Sequence, residues 1–262
     1  MAKQVRREAG DPSNENLLLY FDAGTSAYTG QLRRARELYR EAVEVAKRAE
    51  QPDRAAVSED TAALCEALSG NAQHAHQHVA GALAFSNAKD AESLAALALA
   101  FADGSSRAES LAADIQKRFP EDTIVKFNYL PAIRARVAIN RSNPVAAIQE
   151  LQAALPYELA LAAGITFTAN LYPVYVRGEA YLAKHQGSEA AAEFQKILDH
   201  PGVVLNEPIA ALAHLQLARA YVMQGDSTKA KAAYQDFLTL WKDADPDIPI
   251  LKQGKAENAK LK

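Results

Sequence analysis

The chain has 262 residues, of which 49% are apolar, 23% charged and only 7% aromatic, the balance of a folded, alanine-rich protein. Its 29 lysines and arginines stand against 32 acids, a net charge of −3, which excludes the clustered basic face that a nucleic-acid partner requires. A lone cysteine, Cys65, excludes an intrachain disulfide, and no apolar run approaches the ~20 residues of a membrane-crossing helix.

Residues 1–13 are polar, with Lys3, Arg6 and Arg7 and no apolar core behind them, so a flexible segment is expected there and not a secretory leader. Six helical hairpins follow. The first is expected over 14–49, turning at Thr29 and Gly30, and the second over 53–85, turning at Ser69, Gly70 and Asn71. The third covers 90–119, with its turn at 103–106 and Pro120 behind its second helix. The fourth covers 128–155, turning at Ser142, Asn143 and Pro144, and the fifth covers 171–198. The sixth, 210–241, has the clearest pattern. Leu212, Leu215, Leu217, Ala218, Tyr221 and Val222 make a helical stripe, and Gly225 ends that helix at a left-handed cap position. Asp226 and Ser227 offer N-cap oxygens to the next helix, whose inward face is Ala230, Tyr234 and Phe237. Connectors at 121–126, 156–169 and 199–208 are longer than a tight array needs, and long loops in such arrays often bear function. After Trp241 the chain stops and restarts. Asp247 offers an N-cap, Pro249 suits a first turn, and 247–262 reads as a polar capping helix.

A fixed period binds these hairpins together. In each, a small residue on the first helix is followed twelve residues later by an alanine on the second: Ala23/Ala35, Ala63/Ala75, Ala96/Ala108, Ala135/Ala147, Gly178/Ala190 and Ala218/Ala230. The second members are 40, 33, 39, 43 and 40 residues apart, the range of stacked helical repeats. A side chain no larger than methyl lets the two helices of a hairpin close to ~8–10 Å. The fold expected is an all-α solenoid of about six helix-turn-helix repeats over 14–246, closed by a capping helix.

Motifs of catalysis are absent: no phosphate-cradling glycine loop, no H-E-x-x-H, no nucleophile elbow and no paired-cysteine metal box. No cofactor is expected. His74 and His78, four apart, would share a helix face and could grip a metal, but no carboxylate or thiol lies within a turn to complete the set. An exposed polar face on the second helix of that repeat is the stronger expectation. Cys65 sits among small residues and reads as a buried apolar side chain. Such a chain binds more readily than it catalyses. A metal-dependent or small-molecule enzyme and a structural oligomerisation module remain the alternatives.

In stacked hairpins the first helices line the concave side. That geometry projects Tyr129, Arg136 and Asn140 inward from the fourth repeat, Tyr172, Tyr175 and Glu179 from the fifth and Arg219 from the sixth. The corresponding early positions are blander: Leu17, Tyr20, Val57, Leu64, Ser93 and Leu97. Tyrosine and arginine are the residue types that anchor interfaces, so a groove for a protein or peptide is expected in the C-terminal half. The competing expectation is that Tyr172 and Tyr175 pack between repeats and that Arg136 pairs with an acid. Arg134 and Arg177 fall where a repeat puts leucine, on the side packed between helices, and each then needs a buried partner.

The sixth hairpin is similar to the tetratricopeptide repeat, with its small residue, tyrosine three later, and alanine and aromatic on the second helix. That resemblance implies a right-handed superhelix. Tyr172–Ala183 (YPVYVRGEAYLA), together with 191–204, 211–221 and 236–253, resembles the tetratricopeptide region at the C-terminal end of bacterial eukaryotic-type serine/threonine kinases, the acidobacterial ones above all. The resemblance implies an extension beyond a kinase domain, often beyond a membrane span, for sensing or partner binding, in either a cytoplasmic or an extracytoplasmic setting. No kinase residue carries over. Gly254 and Asn258 stand where the family pattern has alanine and an aromatic, which predicts a looser end cap.

Overall fold

The structure, a computed structural model, describes residues 12–160 and 170–261. The expected flexible segment up to residue 11 and positions 161–169 of the long connector lie outside the described residues. Every regular element described is helical, and the helices pair as six hairpins. They are α1 (Pro12–Tyr28) with α2 (Leu32–Arg48), α3 (Pro52–Ser69) with α4 (Ala72–Phe85), and α5 (Lys89–Phe101) with α6 (Ser105–Arg118). The fourth pairs α7 (Leu130–Asn140) with α8 (Pro144–Glu150), the fifth α9 (Tyr172–Ala183) with α10 (Gly187–Asp199). After a single turn, α11 (Pro201–Val204), the sixth pairs α12 (Pro208–Met223) with α13 (Ser227–Leu240), and α14 (Pro249–Ala259) closes the chain.

Local chemistry sets these boundaries. Pro52, Pro173 and Pro208 open the first helices of three repeats, where proline's fixed φ suits the first turn and its missing N–H is not needed. All six hairpin turns pass through a left-handed residue. Gly30, Gly70 and Gly225 take it in repeats one, two and six, and Asp103, Ser142 and His185 take it in the middle three. Asn143 and Asp226 then cap the following helices by accepting from the N–H groups of Ala146 and Lys229, at 3.1 and 3.0 Å. The stretch 121–126 is not an open connector. Asp122 accepts from the N–H groups of Ile124 and Val125, the chain is helical from Thr123, and one π turn (Val125–Tyr129) feeds α7.

The twelve residues of the period are all buried, every alanine among them at 2% exposure or less. One principal core runs from Leu19 to Leu251, because the first helices turn their apolar faces toward one another inside the superhelix. Arg177 is buried as its position predicts, and its Nη2 bonds Glu158 and Glu193, both at 2.6 Å, with Lys196 joining Glu158 at 2.7 Å. Arg134 departs from that expectation. It is half-buried on the outer side and donates to Gln116.

The sixth repeat returns to the first. Trp241 Nε1 donates to the carbonyl of Tyr28 at 2.9 Å and the N–H of Asp245 to that of Gly30 at 3.0 Å. Asn206 donates to the Phe21 carbonyl at 3.1 Å and to Thr25 Oγ1 at 2.9 Å. Gly30 is required by this approach. Its φ is +76°, and a Cβ there would lie 2.6 Å from that of Ala244 and 2.8 Å from the Trp241 ring. The superhelix therefore closes on itself, and much of its concave side becomes interior. Gly254 also makes the end cap tight where the sequence predicted looseness. Its missing Cβ lets α14 settle on Phe237 and Leu215, which a methyl would meet at 3.1 and 3.2 Å.

Candidate functional site

Closure decides where the seven inward residues lie. Tyr172 and Tyr175 are 0% and 2% exposed, so their rings are core and not open groove. Tyr172 donates to Glu207, while Tyr175 accepts from Gln216 at 3.1 Å and meets Phe194 edge-on. Asn140 staples the fourth repeat to the third, donating to the Ala100 carbonyl at 2.7 Å and to Ser105 Oγ at 3.0 Å. Tyr172 and Tyr175 are therefore packed in the core, as the competing expectation had it, and do not line an open groove.

Four of the seven come together as a polar ladder. Arg136 lies over the Phe101 ring at 5.1 Å and donates to Glu179 at 3.1 Å. Gln216 reaches both Tyr175 and Glu179, then accepts from Arg219 at 3.2 Å. Arg219 grips Glu257 of the closing helix through two bonds of 2.9 Å, and Tyr234 donates to the same carboxylate. Burial pushes the Glu179 carboxyl up, against the pull of Arg136 and Arg219. Burial likewise opposes ionisation of Glu257, but the hydrogen bonds and charge of Arg219 prevail and hold it below the usual range. The charged members of the ladder are half-buried, and each already has an internal partner.

The open concavity lies at the other end, where the first helices of the early repeats begin. A cavity of about 840 Å³ opens there. Leu17, Tyr20, Val57, Ala91, Ile124 and Tyr129 form its apolar wall. Tyr129 is the one of the seven expected residues that lines it, and its hydroxyl donates to Asp90 at 3.2 Å. Around the wall stand three carboxylates, Glu50, Asp53 and Asp90, and two cations, Arg54 and Lys89. Lys89 is engaged by Asp122, outside the lining, at 2.8 Å. The lining thus carries surplus negative charge over an apolar floor. Leu17 and Val57 carry no chemistry of their own, and Tyr20 is a single polar tip beside them. Their convergence on one opening comes from the curvature of the array, which no local pattern encodes.

Sequence reasoning also passed over two acids. Asp60 is fully buried, and neither carboxylate oxygen has a hydrogen-bond partner. Burial, with Glu59 adding to it, holds its carboxyl well above the usual range. It was legible, standing three residues before the small residue Ala63, the column that holds Tyr20, Ser93 and Tyr175 in other repeats. Glu207 lies in the connector before α12, outside any periodic position, and no repeat pattern could mark it.

The histidines of α4 act as ties between helices. His78 meets Glu59 at 2.6 Å, His74 approaches Glu66 at 3.8 Å, and His76 contacts the Ala102 carbonyl at 3.0 Å. Among the described residues no group of three or more histidines, cysteines and acids is placed to hold a metal. Cys65 is buried beside the Tyr39 hydroxyl, and burial pushes its thiol up, away from the reactive thiolate. No described helix is long and apolar enough to cross a membrane.

No protein-family model and none of the curated proteins matches the sequence. Among solved structures, the crystal structure of yeast Tom70 is similar over 99% of this chain, with a TM-score of 0.50 at 13% identity. The chain spans 57% of the length of that protein. At this identity the likeness shows the fold, an all-helical solenoid of the tetratricopeptide kind.

Proposed function

We propose that this solenoid is a non-catalytic scaffold that binds a peptide or protein segment, with the cavity at the start of the early first helices as its primary contact. The observation that carries this reading is the cavity itself, apolar at its floor and bearing three carboxylates against two cations at its edge. Such a lining suits an apolar side chain flanked by lysine or arginine, since burial of the apolar group supplies affinity and the acids select the flank. The polar ladder of Arg136, Glu179 and Arg219 is the secondary contact. A ligand there must compete with internal ion pairs, so it contributes selectivity more than strength.

The same reading assigns the module to a bacterial serine/threonine kinase signalling protein, which the resemblance of 172–183 and 236–253 supports. Sequencing the complete reading frame tests that assignment, and a frame without a kinase domain removes it.

Binding is tested on a peptide array with the wild-type chain, Leu17→Glu and Val57→Glu, both half-buried at the cavity wall, and with Arg136→Ala and Arg219→Ala. Peptides carrying an apolar residue beside a basic one are expected to bind. Loss of at least tenfold in the cavity variants, with a smaller change in the ladder variants, supports the reading. Equal binding by all four variants removes it.

A further inference from the structure

The cavity at the start of the early first helices lies beside the point where the chain enters the fold. Asn16 and Leu17, on the second turn of α1, belong to its lining. Pro12 opens that helix, about 7 Å along its axis from Leu17. Residues 1–11, outside the described residues, join the fold at this point.

The sequence of that segment carries the chemistry that the cavity selects. Lys3-Gln4-Val5-Arg6-Arg7 sets one apolar side chain among three cations, with no acid in the run. Each part has its counterpart in the lining. Leu17, Tyr20, Val57 and Ile124 are half-buried, and open space lies in front of them. Glu50 and Asp53 stand exposed at the edge. Asp53 accepts from the Ser86 hydroxyl, a neutral donor that leaves its charge in place. Lys89, which has the sign to repel an incoming arginine, is engaged by Asp122. Opposite charge at the edge and apolar contact at the floor therefore favour the same five residues.

Reach is sufficient. Seven residues separate Val5 from Pro12, and an extended chain of that length spans up to about 23–25 Å. That is about three times the axial distance from Pro12 to Leu17, so the tether has slack.

We infer that residues 3–7 dock into this cavity within the same chain, Val5 on the apolar floor and Arg6 and Arg7 toward Glu50 and Asp53, so that the protein covers its own binding site until a competing segment displaces them. The inference rests on the reading that this cavity takes a peptide segment, and it adds a regulator to it. A short tether holds an internal ligand at an effective concentration on the order of mM. A segment whose untethered Kd is about 0.1 mM then fills the site about ten to one. A foreign peptide of the same type binds such a chain about tenfold more weakly than it binds an open cavity.

The test uses the full chain with isoleucine, leucine and valine methyl groups labelled for NMR, and its first stage needs no added ligand. Val5→Asp, and separately Arg6→Glu with Arg7→Glu, alter residues ahead of α1. Both are expected to shift the methyl signals of Leu17, Val57 and Ile124, while those of Leu182 and Ile197 in the fifth repeat stay fixed. Wild-type and variant spectra that superimpose at the three cavity residues overturn the self-docking, whatever the peptide array shows. Differences that disappear on tenfold dilution also overturn it, because they assign the contact to a second copy. In the second stage a synthetic peptide with the sequence of residues 1–11 is added. It is expected to bind the chain carrying Arg6→Glu and Arg7→Glu about tenfold more tightly than the wild type, at the same three methyl positions. Equal affinity for both chains overturns the self-inhibition. If the first-stage shifts appear and no foreign peptide binds either chain, the self-docking stands and a foreign partner at this cavity is excluded.

Discussion

Gly178 faces the ring of Phe194 so closely that a Cβ on the glycine would lie 2.6 Å from the ring carbon Cζ. The fifth repeat alone uses glycine at the first small position of the period, and the aromatic of its second helix is the reason. Gly178→Ala is expected to lower stability by about 1–3 kcal/mol through overpacking, despite alanine's better helix propensity. Thermal unfolding checks this, with a fall of roughly 2–4 °C per kcal/mol for a chain of this size. Phe194→Leu in the same background is expected to recover part of the loss, since it removes the atoms in conflict.

The Arg177 cluster predicts a larger effect. Arg177→Ala leaves Glu158 and Glu193 with only the partly exposed Lys196 as counter-ion, and should cost up to about 3–5 kcal/mol in chemical denaturation. Burial pushes Glu158 up, but the bonds from Lys196 and Arg177 hold it below its ordinary value. Its contribution is therefore present above the ordinary carboxylate range and lost as pH falls through the lowered one. The variant should show a flatter acid limb than the wild type. An unchanged limb would mean that Lys196 alone holds the carboxylate.

Asp60 has the opposite sign. Its carboxyl is raised in the folded chain, so stability is greatest below the unfolded value and falls as pH climbs toward the folded one. Asp60→Asn removes the ionisation while keeping the shape. Its stability should match the wild type near pH 4 and exceed it increasingly toward pH 8, by about 1.4 kcal/mol for each unit of elevation. Parallel curves from urea melts at several pH values would show that Asp60 gains a partner in solution.

Arg219→Ala should act at a distance from its own helix. The lost pair joins α12 to the closing helix, and both partners are partly solvated, so the global cost is about 1 kcal/mol. Faster hydrogen exchange confined to 249–259 is the expected signature. Uniform acceleration across all six repeats would assign Arg219 to the core instead.

The sequence made the hairpins legible because their signals are local: proline at a helix start, a left-handed turn residue, two small residues twelve apart. Each is settled by contacts within one repeat, so each survives without knowledge of the whole. The candidate site was legible only in type. Tyr172 and Tyr175 are buried and Arg136 and Arg219 half-buried, but whether a first-helix residue meets solvent depends on how far the array curls. That is fixed by the Trp241–Tyr28 and Asp245–Gly30 bonds, between residues more than 200 positions apart. For the same reason Leu17 and Val57 looked empty of meaning, and Glu207, in a connector, had no periodic column to betray it.

A stack of repeats is ordinarily a line with two frayed ends, and its stability is a sum of neighbour terms from which either end can peel away. Joining the last repeat to the first removes the ends. Loss of a terminal hairpin then breaks two interfaces instead of one, so the terminal repeats gain the protection that interior ones enjoy. The joint also has a kinetic cost, since the chain must span more than 200 residues of loop before those two bonds form. Folding should therefore proceed as hairpins collecting into an open arc, with ring closure as the last and slowest event, and unfolding should begin where the ring was last sealed.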